Sequence, residues 1–193
     1  MMFGALQPMT RFLLIANVAI FGAQWLWPSL IDTFALWPIG GGFEPWQIVS
    51  YAFLHGSLAH IGFNMIGLLS FGNELEAWWG PKRFLQFYLA SVIAAALMQL
   101  AVTMSLGQIA PTVGASGGIF GLLLGFAMMF PRRKIVPLIP PIPMPAWVFV
   151  TLYGALELYL GVTGTASGIA HFAHLGGMIG GWIMLRRWRA ERV

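Results

Sequence analysis

Residues 114–121 have the sequence GASGGIFG, which places Ser116 among small residues at the start of an apolar run. Gly117, Gly121 and Gly125 recur every four residues, so one face of the helix that they predict carries no side chains. Glycine weakens a helix in water, but in a lipid bilayer a bare face lets two helix backbones approach closely. We therefore interpret this stretch as a helix that brings Ser116 against a partner helix.

The composition indicates an integral membrane protein. Of 193 residues, 59% are hydrophobic and only 8% are charged, whereas soluble domains carry about 25% charged residues. The absence of cysteine excludes disulfides, thiol nucleophiles and iron–sulfur clusters. The net charge of +4 and pI near 10.0 are explained by basic residues that flank membrane spans, so we expect no nucleic-acid partner.

The apolar runs predict an all-α, polytopic protein with one membrane domain over residues 1–193 and no separate soluble domain. Six spans are predicted, at about residues 12–27, 58–79, 84–106, 116–130, 146–161 and 168–185. The loop 162–170 is short and rich in small residues, so we expect it to be mobile.

The basic residues predict the orientation of these spans. All ten Lys and Arg residues precede span 1 or follow spans 2, 4 and 6: Arg11, Lys82, Arg83, Arg132, Arg133, Lys134, Arg186, Arg187, Arg189 and Arg192. By the positive-inside rule, both termini are cytoplasmic. We expect a multi-pass protein of a bacterial inner membrane, in contact with lipid.

Polar groups within spans are costly and suggest function. Ser116, His174 and Asn64 lie roughly 24, 18 and 27 Å above the cytoplasmic boundary, counting about 1.5 Å per residue from the nearest basic residues. The three groups can therefore meet at one level. The fourth span is only about 22 Å long, so we expect its helix to begin inside the membrane, at Ser116. Free N–H groups at a helix start attract negative charge.

These positions predict a nucleophile and a base on neighbouring helices. A glycine face on span 6, which includes Gly177, can pack against the face of Gly117 and bring His174 to Ser116. Phe120 can pack on the imidazole, and Asn64 and His60 can donate hydrogen bonds to an oxyanion. A helix-capping serine and a simple helix-packing glycine motif are the alternative interpretations.

At these residues the sequence resembles the rhomboid intramembrane serine proteases. GASGGIFG matches the family's nucleophile motif with Gly114, Ser116 and Gly117, and AHLGG (173–177) matches its sixth-helix histidine motif. His60 and Asn64 match its HxxxN motif, His55 matches a histidine just before it, and residues 72–80 match GxxxExxxG. The resemblance implies a six-helix bundle whose short fourth helix carries the nucleophile.

The resemblance also implies a function. We expect a serine endopeptidase that cleaves single-pass transmembrane proteins in or near their spans, with a dyad of Ser116 and His174, no cofactor and no metal. The site is expected to open to the outer side of the membrane. The alternatives are a catalytically inactive relative that binds membrane helices as a chaperone or retention factor, and a small-solute channel lined by histidines.

Three positions need separate comment. Gln47 stands where the family often has arginine, and Phe120 stands where it often has tyrosine. Glu157 in span 5 is interpreted as a structural residue, because the resemblance implies a dyad. His171 and His174 have a possible metal-ligand spacing, but no HExxH motif is present.

Overall fold

The computed structural model describes residues 5–164 and 170–190, and most of them are helical. The helices are α1 (Pro8–Leu26), α2 (Leu30–Phe34), α3 (Gln47–Ser50), α4 (Leu58–Gly67), α5 (Asn73–Leu106), α6 (Ser116–Met129), α7 (Ala146–Thr163) and α8 (His171–Ala190). A 3-10 turn follows α3, a π-helical turn joins α4 to α5, and two-residue strands β1 (Lys134–Ile135) and β2 (Met144–Pro145) pair antiparallel. Residues 165–169, in the loop expected to be mobile, and the start of the predicted sixth span lie outside the described residues.

Three helical stretches within the described residues are long and apolar enough to cross a membrane: Pro8–Leu26, Leu58–Leu106 and Ala146–Thr163. Helix α6 is apolar but has only 14 residues. At about 1.5 Å per residue it is roughly 21 Å long, which is less than the thickness of a hydrocarbon core.

The 49-residue stretch Leu58–Leu106 is bent into two arms at Gly80. Gly80 has φ 75° and ψ 164°, a conformation that glycine adopts without strain, and Pro81 follows it. Both arms meet α6 near Gly125, which lies beside Trp79 and Phe87. Towards the start of α6, Gly67 of the first arm lies near Ile119 and Val92 of the second lies near Gly118. The arms therefore run antiparallel on either side of the bend.

The glycines of α8 form two packing faces. A methyl group added at Gly176 or Gly180 would lie 2.6 Å from a side-chain carbon of α5, so this face packs on α5. A methyl group added at Gly177 or Gly181 would instead collide with the backbone of α6 or a side chain of α5. The prediction of a glycine face that packs on α6 is therefore incomplete, because α8 packs against both α5 and α6 and has glycines at both contacts.

Helix α7 lies at the edge of the bundle. Most of its side chains are exposed, and its buried residues are Ala146, Val150 and Glu157. Its exposed residues are mainly large and apolar, as expected for a surface that faces lipid. A buried glutamate on such a helix is unusual and identifies the side of α7 that faces the protein.

Glu76 connects the bend of α5 to the start of α1. Its Oε1 accepts a hydrogen bond from the Met9 amide at 2.8 Å, and its Oε2 accepts bonds from the Thr10 amide and hydroxyl at 2.6 and 2.8 Å. The first amides of a helix have no acceptor within the helix, and a negative charge there is favourable. The carboxylate, which is 1% exposed, therefore caps α1 across the fold.

We expect Glu76→Gln to lower the free energy of unfolding by about 2 kcal/mol, because the amide replaces one acceptor oxygen with a donor that opposes the helix amides. Denaturant titration in mixed micelles measures this change. Glu44→Gln makes the same chemical change at an exposed side chain and should leave stability unaltered. Equal stabilities of the two variants would contradict the capping role.

Candidate active site

Ser116 and His174 are in direct contact. Ser116 is the first residue of α6, and His174 lies in the first turn of α8. The Ser116 Oγ lies 2.8 Å from the His174 Nε2, within hydrogen-bond distance. Ser116 is half-buried and His174 is buried, so the pair is shielded while its serine remains partly accessible.

Glycine makes this contact possible. A Cβ at Gly177 would overlap the carbonyl oxygen of Gly117, so the two helix backbones touch directly beside the Ser116–His174 pair. Gly114 has φ 130°, which allows the chain to turn into α6 immediately before the serine. The close approach at Gly177 was anticipated from the spacing of small residues, since a side chain on either helix would separate Ser116 from His174, whereas the turn at Gly114 was not.

Aromatic stacking fixes the plane of the imidazole. The rings of Phe120 and His174 are nearly parallel, with centroids 4.1 Å apart and an interplanar angle of 6°. Tyr153 of α7 stacks on Phe120 at 5.2 Å. The contact with Phe120 was expected, whereas Tyr153 was not identified from the sequence.

Glu157 also belongs to this site. Its Oε2 lies 2.8 Å from the Nδ1 of His174 and 2.7 Å from the Nδ1 of His171. Glu157, interpreted above as a structural residue, therefore contacts His174 directly, and a carboxylate, an imidazole and a hydroxyl form a continuous chain of hydrogen-bonding groups. A local signal was present, because Gly154 and Gly161 flank Glu157 on one face of α7 and lie against Met178 and Phe172 of α8.

The same three side chains are the candidate metal ligands in the described part of the chain. One donor atom each from Glu157, His171 and His174 lies within 4.8 Å of the others. However, both imidazole nitrogens are at hydrogen-bond distance from a single carboxylate oxygen. A cation would need these atoms to move apart, since Zn–ligand bonds of about 2.0–2.2 Å require it to lie between them. The arrangement fits hydrogen bonding better than coordination.

His60 lies beside the serine, and Asn64 has a different partner. A Cβ at Gly114 would lie 2.7 Å from the His60 Nε2 and 3.6 Å from the Ser116 Oγ. The imidazole of His60 and the hydroxyl of Ser116 therefore lie close to the same position beside Gly114. The Asn64 Nδ2 lies 2.9 Å from the Nε2 of His55. This bond uses one amide hydrogen of Asn64 and leaves the second available.

His55 anchors Asn64 from the loop before α4. The Gln24 side chain accepts a bond from the His55 amide at 3.0 Å and donates one to its carbonyl at 3.1 Å. Burial lowers the pKa of His55 to about 4, with a smaller contribution from the neighbouring His60. The imidazole is therefore neutral near pH 7 and can accept the bond from Asn64.

The start of α6 supplies backbone donors. Within residues 5–164 and 170–190, the amides of Ser116, Gly117 and Gly118 have no hydrogen-bond acceptor. Free amides at a helix start carry partial positive charge. They lie beside the serine and can bind an oxygen that becomes negatively charged.

Gln47 organises the loop between α1 and α4. Its Oε1 accepts bonds from the amides of Trp37 and Glu44, and its Nε2 donates to the carbonyls of Thr33 and Gly42. All four partners of this uncharged side chain lie between α1 and α4. The position at which the resemblance expected arginine thus holds the loop without a charge.

We expect Gly177→Ala to destabilise the protein by about 1–3 kcal/mol, because the added methyl group must push α8 away from Gly117. Denaturant titration in micelles provides the measurement. Gly62→Ala is the matched control, since a Cβ at Gly62 has no atom within 4 Å. If both variants had the wild-type stability, the close approach of α6 and α8 would be refuted.

The free energy of unfolding should decrease as the pH falls from 6.5 to about 4, because burial lowers the pKa of His55. The unfolded chain protonates His55 near pH 6.5, whereas the folded protein does so only near pH 4. Up to about 3 kcal/mol of stability is therefore lost across this window. Denaturant titrations at several pH values measure the slope. A His55→Gln variant should show a shallower slope, and an unchanged slope would argue against a buried neutral His55.

Comparison with known proteins identifies the family to which the chain is similar. Residues 42–189 match a family model described as the rhomboid domain. Rhomboid protein 1, mitochondrial, of Saccharomyces cerevisiae is 33% identical over 196 aligned positions, which cover 93% of this chain and 54% of the yeast protein.

Two further relatives come from other lineages. Rhomboid protease GluP of Bacillus subtilis is 30% identical, with 72% of this chain and 25% of GluP covered. RHOMBOID-like protein 4 of Arabidopsis thaliana is 33% identical, with 74% of this chain and 34% of the plant protein covered. The chain spans between a quarter and about half of the length of these relatives. Its match to the rhomboid domain covers most of its residues, and the chain is a member of the rhomboid family.

Proposed function

We propose that this protein is an intramembrane serine endopeptidase that hydrolyses peptide bonds in or near the transmembrane segments of other proteins. The observation that carries the proposal is the 2.8 Å contact between the Ser116 Oγ and the His174 Nε2, at the start of a short apolar helix. A serine hydroxyl paired with an imidazole is the arrangement that activates serine as a nucleophile. The name of the B. subtilis relative includes the word protease, which is consistent with this chemistry.

The proposed reaction has two halves. His174 Nε2 takes the hydroxyl proton as Ser116 Oγ attacks the substrate carbonyl carbon, and the same nitrogen then gives that proton to the departing amine. The acyl group stays on Ser116. A water molecule gives one proton to His174 Nε2 as it attacks the ester carbonyl. The bond from the acyl carbon to Ser116 Oγ then breaks, the acid leaves, and Nε2 returns that proton to Oγ to regenerate the serine hydroxyl.

The negative oxygen of the tetrahedral intermediate needs donors in place before the reaction. The free amides at the start of α6 supply backbone donors. His60 borders the serine, and Asn64 has a second amide hydrogen that its bond to His55 does not use. We assign oxyanion stabilisation to these groups.

The proposed substrate class rests on the resemblance to the rhomboid proteases and on the apolar surroundings of the site. A membrane helix has all its backbone bonds satisfied internally, so a scissile carbonyl must leave its helix before Ser116 can reach it. Single-pass segments with a helix-weakening stretch near the cut are the substrates we propose. The reaction needs no cofactor.

We further propose six spans: α1, the two arms of Leu58–Leu106, α6, α7 and α8. The positive-inside distribution of Lys and Arg supports an orientation with both termini on one side and the start of α6 towards the other. A bacterial inner membrane, with the site open to the outer side, is the setting that we propose; the yeast relative is by name mitochondrial.

An inactive relative that only binds membrane helices is the second candidate. Binding alone would require neither a serine within hydrogen-bond distance of a histidine nor an aromatic ring stacked on that histidine. Both contacts are present, and they favour the enzyme.

Purified protein in detergent should be labelled by a fluorophosphonate probe, which reacts with activated serines. Ser116→Ala should abolish labelling, and His174→Ala should slow it by about a thousandfold, because the hydroxyl then lacks its base. Ser105→Ala is the matched control, since Ser105 is exposed at the end of α5 and bonds only within its helix. Equal labelling of wild type and Ser116→Ala would refute a serine hydrolase.

A further inference from the structure

The carboxylate of Glu157 is buried on a helix that otherwise faces outward. Glu157 is 4% exposed, whereas most side chains of α7 are accessible. A charge placed inside a membrane protein is costly and persists only where partners satisfy it. The location of this carboxylate therefore needs an explanation beyond the packing of α7.

The contacts of Glu157 determine which nitrogen of His174 carries the proton. An ionised carboxylate only accepts hydrogen bonds, so the Nδ1 atoms of His171 and His174, at 2.7 and 2.8 Å, must both donate to its Oε2. With its proton on Nδ1, neutral His174 has a lone pair on Nε2. That nitrogen lies 2.8 Å from the Ser116 Oγ and can accept its proton.

The orientation of the imidazole is also fixed from two directions. Phe120 stacks on its face at an interplanar angle of 6° and sets the plane of the ring. Stacking alone does not prevent rotation within that plane. The bonds to Glu157 at Nδ1 and to Ser116 at Nε2 hold opposite sides of the ring and remove this freedom.

We propose that Glu157 is a positioning residue of the active site, which holds His174 in its Nδ1–H form and completes a Ser116–His174–Glu157 triad. The inference rests on the proposed hydrolase function and replaces its expected dyad. When Ser116 gives its proton to Nε2, His174 becomes a cation and keeps its Nδ1 proton. The carboxylate stays unprotonated and stabilises that cation, and His171 is the second donor that keeps the carboxylate in place.

A purely structural role for Glu157 makes different predictions. If the carboxylate only joins α7 to α8, its removal would lower the stability and weaken the binding of substrate, which raises KM. Its removal would leave kcat and the tautomer of His174 unchanged. A positioning role affects kcat, because the base must be aligned in every turnover.

The first test uses Glu157→Gln, which keeps the size and one acceptor oxygen but removes the charge. We expect kcat for a model transmembrane substrate to fall by about tenfold to a thousandfold, with KM within about threefold of wild type. Glu157→Asp keeps a carboxylate and should retain more activity than Glu157→Gln. Glu44→Gln, at an exposed position, controls for the loss of one negative charge. A kcat within twofold of wild type in Glu157→Gln would overturn the proposal.

The second test needs neither activity nor a change at position 157. Nitrogen-15 NMR of histidine-labelled Ser116→Ala protein in micelles distinguishes the protonated ring nitrogen from the unprotonated one, and His174→Gln identifies the signal. We expect the proton on Nδ1 of His174; a proton on Nε2 would overturn the proposal. If wild-type protein failed to react with the serine probe, the proposed function would fall, whereas this measurement would still decide whether His174 has the Nδ1–H form that the proposed role of Glu157 requires.

Discussion

The structure depends on the approach of two helix backbones at Gly117 and Gly177. A side chain at either position would occupy the space of the other helix, and Ser116 and His174 lie immediately beside this contact. In soluble proteins the hydrophobic effect drives helices together, but lipid tails are as apolar as the side chains, so this driving force is absent between helices in a membrane. Close packing of small residues and polar contacts must then supply the association. Here the two coincide, since the glycine contact places the hydroxyl within hydrogen-bond distance of the imidazole.

The remaining polar groups follow from the same constraint. A polar side chain buried in an apolar setting is costly without a partner, and three such groups find partners on other elements: Glu76 caps α1, His55 binds Asn64, and Glu157 binds two histidines. The bonds of Glu76 and Glu157 connect α5 to α1 and α7 to α8, and the glycines set how closely the helix backbones approach.

Much of this architecture could be predicted from the sequence, because membrane helices and close-packing glycines leave strong local signals. The contact of Ser116 with His174 and the stacking of Phe120 follow from spacing on two helices. The division of the α8 glycines between α5 and α6 could not be predicted, since spacing shows which residues share a face but not which helix they meet. The contacts of Glu157 with two histidines were not predicted for a related reason. The residues around Glu157 in α7 are mainly apolar and show no amphipathic pattern, and Gly154 and Gly161 are the signal of the face that turns towards α8.

The site is divided between a tightly packed part and a peripheral one. Ser116, Phe120 and His174 lie on α6 and α8, whose backbones are in contact and whose facing residues are largely buried. Tyr153 and Glu157 lie on α7, which buries only three of its residues. The backbone positions of Ser116 and His174 are thus set by the contact of α6 with α8, whereas the carboxylate depends on the position of a peripheral helix. Because Gly154 and Gly161 let α7 approach α8 on either side of Glu157, the packing of α7 on α8 is what brings the carboxylate to the imidazole. The contact of α6 with α8 at Gly117 and Gly177 involves no residue of α7, so the two parts of the site rest on separate helix contacts.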